Sequence, residues 1–139
     1  MTRFRAILTF LVLAVTPGCG GISDPSSTDV QLVGNWHYVA AQTSGNRVMY
    51  DGTLVITQQS GRNFAGGLDA QASVPQGGVV RVNGVVSGRI VSSGSVDFDL
   101  QLSDDVRRHV GSISRDSITG SWATSDLTAL GAFTAVRIK

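Results

Sequence analysis

The side chains that could do chemistry in these 139 residues are few and scattered. There are two histidines (His37 and His109), one cysteine (Cys19), many serines and ten acidic residues, every one of them Asp. A zinc site or an acid–base pair would need both histidines to converge with a carboxylate or a third ligand. His37 alternates away from Trp36 on an extended segment and should face solvent. His109 follows Arg107-Arg108 at the start of another strand, so position gives no reason for the two to meet. Asp97-x-Asp99 and Asp104-Asp105 lack the dense Asp/Asn/Gly loop that wraps calcium, and read as a solvated strand face and a turn. Arg107-Arg108 likewise reads as a turn that keeps an edge soluble, or that meets an anionic lipid head group. No serine lies in G-x-S-x-G, and "GGLDAQ" has no phosphate-loop lysine. These residues do not describe an enzyme, and nothing in them calls for a metal or a cofactor.

Cys19 is the exception, because its surroundings are specific. Arg3 and Arg5 precede the uncharged run "AILTFLVLAV", Ala6 to Val15. As a helix those ten residues would reach roughly 15 Å, half a bilayer core, which is too short to span. A basic start, a short apolar run and a small-residue exit describe a secretory signal peptide. The following "TPGC" resembles the lipobox of bacterial lipoproteins, whose cysteine thiol is diacylated before cleavage just ahead of it. Gly18 fits that motif; Thr16 and Pro17 depart from the usual Leu and small non-proline residue. The alternative is ordinary signal-peptidase cleavage after Thr16-x-Gly18, leaving a free thiol. The lipoprotein resemblance implies a signal peptide over 1–18 and a lipidated Cys19. The acyl chains (palmitate-type chains and a diacylglycerol) would hold the bilayer firmly at roughly 0.8 kcal/mol per buried methylene. Gly20 stands where Asp would retain a lipoprotein at the inner membrane. The implied address is the outer membrane, facing the periplasm, if the host has two membranes.

"GGISDPSSTD" then makes a flexible tether over 19–29 together with the cysteine. The remaining 30–139 are enough for one domain with its own core. The net charge of +1 misleads: two of the 11 basic residues are Arg3 and Arg5, so nine face ten acidic residues in the rest. That balance predicts no nucleic-acid binding, and no protein partner is specified. With no Glu, a single Lys and 17 Gly, the chain favours strands and turns over helices.

Period-two alternation runs through the domain. Trp36, Tyr38 and Ala40 share one face of "GNWHYVAA", and Leu54 and Ile56 one face of "GTLVITQQ". "RNFAGGLDA" aligns Phe64, Leu68 and Ala70. "SVDFDLQL" sets Val96, Phe98, Leu100 and Leu102 against Ser95, Asp97, Asp99 and Gln101. With "VVRVNGVVSGRIV", "HVGSIS", "SITGSWA" and "GAFTAVRIK" this makes eight strands joined by short turns. Asn83-Gly84 is a strong hairpin dipeptide, but splitting there leaves very short pieces. One long strand with a bulge at Gly84 is expected instead. Eight sequential antiparallel strands escape exposed edges by closing into an up-and-down barrel. The interior-strand glycines Gly66, Gly88, Gly111 and Gly120 suit the bends that closure needs. A seven-strand sandwich is the rival.

"GNW" at Gly34-Asn35-Trp36, opening an eight-strand meander with a late Arg137 in "FTAVRIK", resembles the calycin superfamily of lipocalins, fatty-acid-binding proteins and avidins. The resemblance implies that Trp36 lies across one barrel end with Arg137 stacked on it as a plug, an arrangement contributing about 0.5–2 kcal/mol. It extends to layout, not to the second lipocalin motif, a helical lid or a biotin site. Such a barrel can be just filled, or can hold one small ligand. Tyr38, Phe64, Phe98, Trp122 and Phe133 are the candidate lining, and the sequence leaves filled and hollow both open. Two functions follow: binding of a small apolar or amphipathic molecule, or an envelope structural or protein-interaction role for a filled barrel.

Overall fold

The computed structural model describes residues 30–139. The expected signal peptide over 1–18, Cys19 and the expected tether over 19–29 lie outside the described residues. Eight strands follow in order: β1 (Gly34–Gln42), β2 (Met49–Ser60), β3 (Asn63–Val74), β4 (Gly78–Ser92), β5 (Ser95–Gln101), β6 (Val106–Ser114), β7 (Ser117–Thr124) and β8 (Leu130–Arg137). Each pairs antiparallel with the next, and β8 returns to β1 from Trp36↔Arg137 to Gln42↔Gly131. The sheet is therefore a closed barrel, and the sandwich is excluded.

Alternation decides which face turns inward, since successive strand side chains point to opposite sides. Trp36, Tyr38 and Ala40 are buried from β1, and Val96, Phe98 and Leu100 from β5. On the outer face, cross-strand charges meet: Arg108 reaches both carboxylate oxygens of Asp97, and Arg81 those of Asp69. These pairs are exposed and contribute little to stability, but they account for the polar alternation of Asp97-x-Asp99.

β4 is one strand through Asn83-Gly84, without the bulge expected there. The register slips instead between Ile90 and Ser92, and between Ile56 and Gln58 on β2. Gly84 has a different task. A Cβ on it would lie 2.6 Å from Leu100 Cδ1 and 2.8 Å from Leu102 Cδ2, so the glycine makes room for core side chains.

The other inward glycines follow the same logic. Phe98 Cβ and Phe64 Cζ would stand 2.3 and 2.7 Å from a Cβ on Gly88, and the ring of Phe133 at 3.0 Å from one on Gly111. Large rings thus lie over glycines, a known device of coiled barrels. Gly66 is tighter still, its missing Cβ falling 1.9 Å from the Val55 carbonyl oxygen. Gly66→Ala is expected to cost about 2–3 kcal/mol by forcing β2 and β3 apart. Urea denaturation measures this; a loss below about 0.5 kcal/mol would mean the strands yield freely there.

Candidate functional site

The two ends of the barrel differ, and the difference begins with Trp36. Its side chain is fully buried at the end where β1 starts, and its indole Nε1 donates to the Leu32 carbonyl at 2.9 Å. The Arg137 guanidinium carbon sits 4.2 Å from the ring centre. Arg137 also donates to the carbonyls of Val33 and Gln31 and approaches Asp116 at 3.5 Å. Gln59 fastens the entering chain by accepting from Leu32 N–H and donating to Val30 O. This end is closed, with Trp36 and Arg137 brought together there.

The waist is filled by stacked rings. Phe98 and His109 lie nearly parallel with centroids 4.5 Å apart, and Phe133 meets His109 edge-on at 5.0 Å. Tyr38 stacks on Phe133 at 6.0 Å, and Phe64 packs edge-on against Phe98 at 6.1 Å. Of the five aromatic residues proposed as lining, Tyr38, Phe64, Phe98 and Phe133 face one another here, while Trp122 lies nearer the other end.

His109 is the residue that sequence reasoning missed. It is wholly buried, with Nδ1 3.0 Å from the Arg107 carbonyl and Nε2 2.9 Å from the Tyr38 hydroxyl. A carbonyl only accepts, so Nδ1 carries the proton and Nε2 accepts from Tyr38. Burial pushes the imidazole down to about 4, with the Arg107 charge adding to the effect and the carbonyl bond opposing it. Burial likewise pushes the Tyr38 phenol well above its ordinary range. Both groups are neutral at pH 7. The signal was present in the alternation: Ile113 and Gly111 share a face of β6, and stepping back by two reaches His109 and then Arg107. The sequence reading starts this strand at His109, with Arg107-Arg108 in a turn. Both arginines instead belong to β6, Arg107 facing in and Arg108 out. His37 is on the outer wall, 3.2 Å from Asp51. Among the described residues no three His, Cys, Asp or Glu side chains converge as metal ligands do.

The second end is open. β4 pairs with β5 only from Val85↔Gln101, so Gly78–Gly84 is held by β3 alone and projects as a lip. A cleft of about 500 Å³ lies against it. Its apolar lining is Val48, Tyr50, Ala72, Val74, Val80, Val82 and Leu102; Arg81, Asn83, Ser103, Asp104 and Arg107 supply polar groups. Arg107 forms part of the floor. Its guanidinium carbon is 4.7 Å from the Tyr50 ring centre and 4.9 Å from that of Trp122, and its Nε donates to Asp105 at 3.1 Å. Tyr50 and Trp122 meet edge-on at 6.1 Å. The Trp122 indole Nε1 is buried with no acceptor among the described residues.

The chain has no matching family model, and no curated protein matches it. Solved structures do resemble it. The protein EF1p2_mFAP2b, bound to DFHBI, aligns at TM-score 0.64 and 13% identity over 81% of this chain and 98% of that one. The redesigned β-barrel mFAP1, also bound to DFHBI, aligns at TM-score 0.62 and 15% identity over 76% and 94%. A fluorescence-activating β-barrel designed de novo aligns at TM-score 0.56 and 19% identity over 81% and 98%. At these identities the likeness is one of fold: an eight-stranded antiparallel barrel closed upon itself.

Proposed function

We propose that this protein binds a small apolar or amphipathic molecule at the open end of its barrel. We further propose that it does so as an exported, calycin-like lipoprotein anchored through Cys19. The observation that carries the binding reading is the mouth cleft. Seven apolar side chains and a few polar ones converge on a space of about 500 Å³, within the range of small-molecule sites. Two of the similar barrels are described as bound to DFHBI, which supports the use of such a scaffold for a small ligand. The ligand would sit at the mouth, above the stacked waist, with Trp122 the nearest of the five aromatic residues first considered. We read the role as binding because apolar side chains dominate the mouth.

Native mass spectrometry of protein purified from its host tests the binding reading. A co-purifying molecule of defined mass is expected; a clean apo mass under several growth conditions would count against it. Anchoring has its own test, because Cys19→Ser should move the protein from the membrane fraction to the soluble one. Membrane association that persists in the variant would refute lipidation.

A second reading, a module that binds protein through its surface, is favoured by one observation. Val79, Val80 and Val85 of β4 are 62%, 55% and 65% exposed, beside an edge whose main-chain groups lack a neighbouring strand.

A further inference from the structure

The two ends of the barrel differ in charge as well as in shape. Among the described residues, the turns and leads at the closed end carry Arg62, Arg115 and Lys139. Arg137 joins them from the end of β8, and Asp116 is the one acid there. That acid already lies 3.5 Å from Arg137 Nε and 3.7 Å from Lys139 Nζ. The turns at the open end reverse the sign, with Asp104, Asp105 and Asp126 against Arg47. Arg107 stands behind them in the cleft floor, bonded to Asp105. Apolar side chains are interleaved with the basic ones at the closed end, where Val33, Val91, Val136 and Ile138 are each 45–48% exposed. The rim has exposed apolar residues too, Met49 and Leu127 among them, so charge is what tells the ends apart.

We infer that the closed end is a docking face for an anionic lipid surface, which the barrel meets base first with its mouth turned away. Charge complementarity carries the choice of partner. A barrel positive at one end and negative at the other is turned by the field of an anionic bilayer. The basic side chains are drawn to the layer of phosphates, and the acidic rim is repelled. The interleaved apolar residues favour a bilayer over a soluble polyanion. A nucleic acid would engage the cations alone, whereas Val91, Val136 and Ile138 gain by settling among lipid head groups. The end is sealed by Trp36 and Arg137, so covering it obstructs nothing at the mouth. Docking of this kind needs neither a ligand in the cleft nor an acyl chain on Cys19.

Full-length protein carrying Cys19→Ser has no thiol to acylate. It is sedimented with vesicles of phosphatidylcholine alone, or with about one third phosphatidylglycerol added. Partitioning is expected on the anionic vesicles and should fall at least about fivefold between roughly 0.05 and 0.5 M salt. Two single-charge variants then locate the contact. Arg115 in the β6–β7 turn and Arg47 in the β1–β2 turn both have left-handed backbone, with φ of 52° and 51°, which Asn tolerates. Their replacements are therefore matched in charge and in strain. Arg115→Asn should weaken partitioning about fivefold, the effect of one surface cation, whereas Arg47→Asn should change it by less than about twofold. Thermal melts show that both variants fold, and the comparison of neutral with anionic vesicles stands without them. Equal losses in the two variants would mean that net charge alone acts, and would overturn the inference. So would equal partitioning on neutral vesicles, or no response to Arg115→Asn. Tighter binding to a DNA duplex, with the same dependence on Arg115, would overturn the assignment to lipid.

Discussion

Lowering the pH from 7 to 4 is expected to destabilise this barrel by about 3 kcal/mol, with most of the loss above pH 4. The cause is His109. In the unfolded chain its imidazole takes up a proton near 6.5, whereas in the barrel burial holds that step down to about 4. The unfolded state therefore binds the proton first as the solution is acidified. Stability is fully present above pH 6.5 and declines toward pH 4, at up to about 1.4 kcal/mol per pH unit. Asp126, held down to about 2 by hydrogen bonds from Thr124 and Thr128, acts in a separate window below about pH 4. Urea denaturation across pH 4.5–7.5 reads the slope directly. A flat profile would mean that His109 is hydrated in solution. Replacing Tyr38 and His109 together with Phe should abolish the slope, while Tyr38→Phe alone leaves Nε2 without a donor and costs about 1–3 kcal/mol.

The second large effect belongs to the closed end. Trp36→Ala is expected to cost about 3–5 kcal/mol. The indole is fully buried, its N–H is the donor to the Leu32 carbonyl, and the Arg137 guanidinium rests on its face. Truncation would open a void under a charged group and leave Leu32 O unpaired, so cavity and desolvation costs add. Chemical denaturation of the folded variant measures it. A loss below about 1 kcal/mol would show that the entering segment simply collapses onto the barrel and that the indole is no plug.

Closure and strand order were legible because one physical signal dominates them. A half-buried strand alternates, and "SVDFDLQL" or "GNWHYVAA" can be read in only one register without burying Asp or exposing Trp. The content of the interior was harder to read, for a reason visible at particular residues. Interior-strand glycines suggest bends and possible space when taken alone. Gly88 and Gly111 in fact lie beneath Phe64, Phe98 and Phe133, so the missing side chains are replaced by rings from neighbouring strands. That compensation is a relation between strands and leaves no local trace. Arg107 and His109 were obscured differently: a doubled arginine resembles a turn, and an ionisable residue on an inward face is discounted unless its partners are known. Tyr38, the partner of His109, is 71 residues from it in the chain. The mouth was also hidden, because it depends on β4 outrunning β5, a matter of register.

The chain enters at Val30 beside Gln59 and Arg137 lies at the same sealed base, so both leads of the polypeptide emerge together, opposite the lip. The described chain thus begins and ends at the closed foot, and the rim stands clear of both.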